Sequence, residues 1–176
     1  AREYPTVRSE DSTSYGIART RIIVASYDTP EQAIAYFESR DYEDQNDIQR
    51  YGRAIAYQRA GKHYEALPIL TELLEKDKSV IAYHIGLGQT LVALDQWSDA
   101  IALFDRALEL FPRNVPLVIE YGERLIELRQ PKRAHELLLD LLNTVPPTPA
   151  QVRLIARAAS LAGEEAEAYY YLSEYR

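Results

Sequence analysis

Apolar positions recur along this chain at intervals of three and four, the spacing of helices with one buried face. The helical blocks recur in turn. Ala66, Ala100, Ala134 and Ala168 stand 34 residues apart. Leu70, Phe104, Leu138 and Leu172 each follow an alanine by four residues, one turn along the same face, and Leu73, Ala107, Leu141 and Tyr175 come three residues later. Five residues before each alanine, Gly61, Asp95, Arg129 and Gly163 mark a tight turn between paired helices. Trp97 lies three residues before Ala100, where His63, Pro131 and Glu165 stand in the other blocks. Methyl side chains at a helix contact let axes approach to about 8–10 Å. The pattern therefore predicts an all-α chain of helix pairs, each laid against the next.

The fullest copy spans residues 81–114, with Gly86-Leu87-Gly88, Leu91, Trp97, Ala100, Phe104, Ala107-Leu108 and Phe111-Pro112. It resembles the tetratricopeptide repeat, a helix–turn–helix unit of the same period. The resemblance implies a right-handed superhelical solenoid of about four to five hairpins with a hollow inner side for a partner. Its repeats fall at 47–80, 81–114, 115–148 and 149–176, the last truncated. Residues 14–46 form a degenerate first hairpin, because Ala33 is one residue out of phase. Residues 1–13 carry charges, Pro5 and no helical period, and read as a linker or the tail of a preceding domain.

Boundary residues agree with these divisions. Thr29-Pro30-Glu31-Gln32 opens a helix with a capping box and a proline in the first turn. Asn114 and Thr148 are predicted N-caps, Pro131 opens a helix, and Pro112 and Pro146 end helices because proline cannot continue them. Pro68 falls inside a second helix and predicts a kink or a shifted start.

Composition narrows the function. The formal charge of −7 disfavours nucleic acid, whose binding needs a basic face. No apolar run is long enough to span a membrane. Cysteine is absent, which removes disulfides and thiolate metal sites. Methionine is absent too, so the sequence is expected to be a processed product or an excised piece. His135-Glu136 begins like HExxH, but Leu139 stands where the second imidazole must be, so no zinc site and no cofactor is expected in this chain. Gly86-Leu87-Gly88 follows no strand and lacks the third glycine of a dinucleotide loop. No catalytic or metal-ligating set emerges.

A partner surface does. In tetratricopeptide stacks the first helix of each hairpin lines the inner side. By phase that surface presents Ile48, Tyr51, Ile55, Gln58 and Arg59, then Ile85, Gln89 and Val92. After them come Ile119, Glu123, Ile126 and Glu127, and finally Arg153 and Arg157. Such an apolar and aromatic lining suits extended apolar segments of protein partners or a docked domain. Fourteen tyrosines add interface-forming area, and the run Tyr169–Tyr171 must turn at least one ring outward.

Further stretches carry a second resemblance. Ala1-Arg2-Glu3-Tyr4-Pro5, Tyr15-Gly16-Ile17-Ala18-Arg19, Arg50-Tyr51-Gly52-Arg53-Ala54, Tyr64-Glu65-Ala66-Leu67 and residues 162–176 together resemble the C-terminal repeat region of periplasmic zinc metallopeptidases of the beta-barrel assembly-enhancing protease type. That resemblance implies an upstream HExxH domain holding the only zinc, and periplasmic residence. It also implies protein partners: the parent's peptidase domain, unfolded or assembling outer-membrane proteins, or their assembly machinery. None of the family's catalytic residues falls within this chain. The alternative expectation is a free-standing tetratricopeptide adaptor for one specific peptide or protein, with no peptidase attached.

Overall fold

The computed structural model describes residues 9–39, 46–144 and 146–174. Among them are ten α-helices and no strand: α1 (Ser9–Ser26), α2 (Pro30–Glu38), α3 (Asp47–Arg59), α4 (His63–Lys76), α5 (Ile81–Ala93), α6 (Trp97–Leu110), α7 (Val115–Glu127), α8 (Pro131–Leu142), α9 (Pro149–Ala162) and α10 (Glu165–Glu174). The starts of α3, α5, α7 and α9 are 34 residues apart, and so are those of α4, α6, α8 and α10. The chain divides into two compact units, residues 1–96 and 97–176.

The period reaches down to the backbone. After α3, α5, α7 and α9 the chain turns through a left-handed residue: Gly61, Asp95, Arg129 and Gly163, with φ of 71°, 61°, 58° and 89°. Each turn closes with the two hydrogen bonds of a Schellman motif. The outer bonds are Lys62 N to Tyr57 O, Gln96 N to Leu91 O, Gln130 N to Leu125 O and Glu164 N to Ala159 O, at 2.8–2.9 Å. Tyr57, Leu91, Leu125 and Ala159, whose carbonyls accept, are all buried. Two glycines fit this geometry without strain, while Asp95 and Arg129 hold it against their own Cβ.

Helix starts are similarly repeated. Asn46 and Thr148 form capping boxes with Gln49 and Gln151, and Asn114 accepts from the Leu117 amide at 3.1 Å. Val80 stands at the same phase before α5 and offers no side-chain cap. Pro68 neither shifts nor interrupts α4, which starts at His63 in phase with its counterparts. Tyr64 and Pro68 share the exposed face, where water can satisfy the Tyr64 carbonyl that proline leaves unpaired.

In the first unit α3 is the hub. Helix α4 packs along one side of it, and α1 and α2 both lie against it while barely touching each other. Gly52 permits this: a Cβ there would stand 2.4 Å from the Phe37 ring and 2.6 Å from Thr20. Helix α1 begins at Ser9, earlier than the tail expected over residues 1–13, and Ser9, Glu10 and Asp11 are residue types that favour a helix N-terminus. Residues 1–8 lie outside the described residues. Ile17 and Val24 of α1 are buried, whereas Ile22 and Ala25 face outward. Tyr57 donates to Glu38 at 2.6 Å and accepts from Arg53 at 3.0 Å, joining α2 to α3.

The second unit is built around Phe104 and Tyr121, stacked at 5.0 Å with an interplanar angle of 19°. The Tyr121 hydroxyl donates to Asp105 at 2.8 Å, and Arg133 donates to the same carboxylate at 2.6 Å while lying over the Tyr121 ring. Three helices, α6, α7 and α8, thus share one aromatic and charged junction. Burial, reinforced by the hydrogen bond to Asp105, holds the Tyr121 hydroxyl well above the ordinary tyrosine range. Ala66, Ala100, Ala134 and Ala168 are all buried, Trp97 is half-buried and Pro112 is exposed. Leu172 departs from its counterparts: Leu70, Phe104 and Leu138 are buried, while Leu172 is 43% exposed. Tyr175 lies outside the described residues.

Candidate partner-binding surface

The structure sorts the residues expected on the first-helix surface into exposed and covered positions. Helix α3 contributes little free surface, because α1 covers it. The Ile48 side chain packs against Gly16, within 3.1 Å of where a Cβ would stand. Tyr51, expected on the inner side, is 2% exposed and packs against the Tyr83 ring at 5.7 Å. Arg59 donates to the carbonyls of Val24, Tyr27 and Asp28, capping the end of α1 with a charge that suits a helix C-terminus. Gln58 donates to Gly86 O and Thr90 Oγ1, each at 2.7 Å, and so fastens α3 to α5. Ile55 is half-buried in the same seam. These residues hold the first unit together instead of presenting a groove. Helical phase alone assigned them to a surface that α1 and α5 in fact occupy.

Helix α5 keeps Ile85, Gln89 and Val92 half-exposed along one face. Beneath them Tyr83 and His84 are buried, and the His84 ring bonds the Lys78 carbonyl at 2.9 Å. Burial, together with the Asp47 and Asp77 charges, pushes the Tyr83 hydroxyl up to about 12.

On α7, Ile119 and Glu123 are half-buried, but Ile126, expected on the surface, is only 7% exposed. Ile119 faces Ile155 and Gln151 of α9 across a narrow seam. Three glutamates surround Arg124, with Glu120 at 3.3 Å, Glu123 at 3.5 Å and Glu127 at 3.1 Å. One guanidinium thus offsets only part of the negative charge on this side of α7.

On α9, Arg153 and Arg157 are exposed. With Ala156 and Ser160 they form one wall of a cleft of about 460 Å3, whose other wall is Glu165, Ala168, Tyr169 and Leu172 of α10. Sequence phase had placed the two arginines but not the α10 wall. Tyr169 and Tyr170 point outward, and Tyr171 turns inward, with its hydroxyl 3.1 Å from His135 Nε2. The outward rings were foreseeable from three consecutive tyrosines, which no single helix face can hold.

The His135 ring is buried against Tyr171 and Glu167. Among the described residues no group of three or more His, Asp, Glu or Cys side chains is placed to hold an ion. No helix among them is long and apolar enough to cross a membrane.

Helix pairs of fixed period, Schellman turns and nested alanines define a repeat scaffold of the tetratricopeptide type. Residues 91–158 match the tetratricopeptide repeat family model. A thermophilic tetratricopeptide repeat protein of Thermus thermophilus, TTC0263, superposes with a TM-score of 0.70 at 19% identity, over 92% of this chain and 88% of that one. MamA from Desulfovibrio magneticus gives 0.67 at 15% identity, over 90% and 92% of the two chains. A second MamA, MSR-1, gives 0.64 at 20% identity, over 96% and 94%. At such identities the likeness is one of fold. A search of curated protein sequences finds no match.

Proposed function

We propose that this chain is a protein-binding module whose first-helix faces, chiefly Ile85, Gln89 and Val92 of α5 and Ile119 and Glu123 of α7, meet partner proteins. The observation that carries the reading is the 34-residue recurrence of helix starts and left-handed turns. Scaffolds of stacked hairpins use their side-chain faces for recognition. The partially exposed apolar positions on α5 suit extended apolar segments.

The finer reading is that the module serves a periplasmic zinc metallopeptidase of outer-membrane protein quality control. In it the module acts like a chaperone toward unfolded or assembling outer-membrane proteins, or contacts their assembly machinery and the parent's own peptidase domain. Zinc and peptide cleavage then belong to that domain. The reading rests on the short stretches that resemble the protease family. One of these, Arg50-Tyr51-Gly52-Arg53-Ala54, lies on α3 where α1 and α2 converge.

Two experiments test it. Reading the gene upstream should reveal a signal peptide and an HExxH motif; an ordinary cytosolic start directly before Ala1 removes the peptidase reading. A photocrosslinking residue at Ile85 or Glu123 in the full-length protein should capture several outer-membrane proteins. Capture of one dominant soluble partner favours the free-standing adaptor instead. Tyr51, being buried, is unsuited as a crosslinking position.

A further inference from the structure

We propose that the seam between α6 and α7 is a joint: α6 swings against α7 and α8 without unfolding, and two ion pairs to α8 latch it shut. The proposal concerns the mechanics of the second unit and does not depend on which partner the module binds.

The seam differs from its counterparts in packing. Helix α4 lies along α5, and α8 along α9, while α6 meets α7 at far fewer places. Side-chain size gives the reason. In the α4–α5 seam Leu70 closes to 3.1 Å from the Cβ position of Gly86. At the phase of that glycine, α7 carries Glu120. At the phases of Leu70 and Leu87, the α6–α7 seam has Phe104 and Tyr121, two stacked rings that hold the axes apart. Beyond the rings the gap stays unfilled. A pocket of about 370 Å3 opens at the end of α6, lined by Leu108, Pro112, Arg113, Val118, Leu137 and Asp140. The α8–α9 seam leaves a void of only about 10 Å3. In the α4–α5 seam the phase of Val118 belongs to His84, a longer side chain that is buried and bonds the Lys78 carbonyl. Walls without partner atoms lose their dispersion contacts, so the ring pair supplies most of the cohesion between α6 and α7.

Charge takes the place of packing. Asp105 of α6 accepts from Arg133 of α8 at 2.6 Å and from the Tyr121 hydroxyl at 2.8 Å. Arg113, in the link from α6 to α7, forks onto Asp140 of α8 at 3.0 and 3.1 Å. Its backbone is left-handed, with φ of 62°, a conformation that costs a residue with a Cβ. One period later the same phases carry Leu139 and Glu167, and Pro147 and Glu174, which offer no opposite charges. All four latch side chains are about half-exposed. Exposed pairs weaken as salt rises, and forked or networked pairs are those that contribute measurably. The latch therefore loosens with ionic strength, whereas the aliphatic α8–α9 seam does not.

The chain has no cysteine, so Ser98→Cys on α6 and Asn143→Cys at the end of α8, both exposed, place two nitroxide labels on the intact chain without interference. Their separation is read by pulsed dipolar spectroscopy in about 0.02 M and about 0.5 M sodium chloride. With 14 residues α6 is about 21 Å long, so a swing of about 15° shifts its far end by about 5 Å. One distance is expected at low salt, and a second population shifted by that amount at high salt. A control pair across the α8–α9 seam, Asn143→Cys with Ser160→Cys, should not respond. D140R, which sets two cations together, should produce the shifted population at low salt, and R113D/D140R should remove it. Val118→Leu, adding bulk beside the pocket, should shrink it at high salt. Circular dichroism checks that each variant is folded, and the salt comparison stands without the latch variants. A single distance indifferent to salt and to D140R overturns the joint. So does an equal response of the control pair, which makes the change a general loosening, or a charge swap that restores nothing.

Discussion

Gly52 shows how much a single position decides. It sits where α1, α2 and α3 meet, with Phe37 and Thr20 closing on the place a side chain would take. Gly52→Ala should force the Phe37 ring aside and destabilise the chain by about 1–3 kcal/mol, read by thermal or denaturant unfolding. The left-handed turns make an opposite pair. Gly163→Ala should cost about 1 kcal/mol, while Arg129→Gly should be neutral or stabilising, because it relieves a Cβ strain that glycine does not feel. Tyrosine titration supplies a third residue-scale test. The folded chain holds the Tyr83 proton up to about 12 against an ordinary 10.0. A group whose folded pKa is raised contributes its stability in full below the unfolded value and loses it as pH climbs toward the folded one. Stability should therefore decline between pH 10 and 12, and ultraviolet absorbance should show buried tyrosinates forming only with unfolding.

At the scale of elements, the repeat was legible because its cues are local. The alanine phase, the residues at 61, 95, 129 and 163, and the caps Asn114 and Thr148 each act within one turn of their own helix. Among α3, α5, α7 and α9, Val80 alone offers no side-chain cap. Its backbone is already extended, so Val80→Asn should gain about 1 kcal/mol and raise the melting midpoint by about 2–4 °C. What the sequence could not reveal was which outward face another helix would cover. Tyr51 and Arg59 have the angular position of surface residues, yet Tyr51 is covered and Arg59 is tied to the end of α1. Leu172 has the phase of a core leucine, yet it is 43% exposed, and among the described residues no helix lies upon it as α5 lies on Leu70. Phase gives the direction of a side chain along its own helix; burial depends on a neighbour that may be thirty residues away.

For the whole molecule, the period that organises the backbone also sorts the surface. In the first unit α1 and α5 consume most of the α3 face, while Ile85, Gln89 and Val92 of α5 stay half-exposed. In the second, Ile119 and Glu123 of α7 remain half-exposed, and the α9–α10 cleft stands open. The measurement that tests this account most directly is hydrogen exchange of the intact chain with and without an outer-membrane β-barrel protein diluted from denaturant. Slowed exchange over residues 81–93 and 115–127, with 63–76 and 131–142 unaffected, is the predicted result. Protection confined to the second helices α4 and α8, or none anywhere, would contradict it.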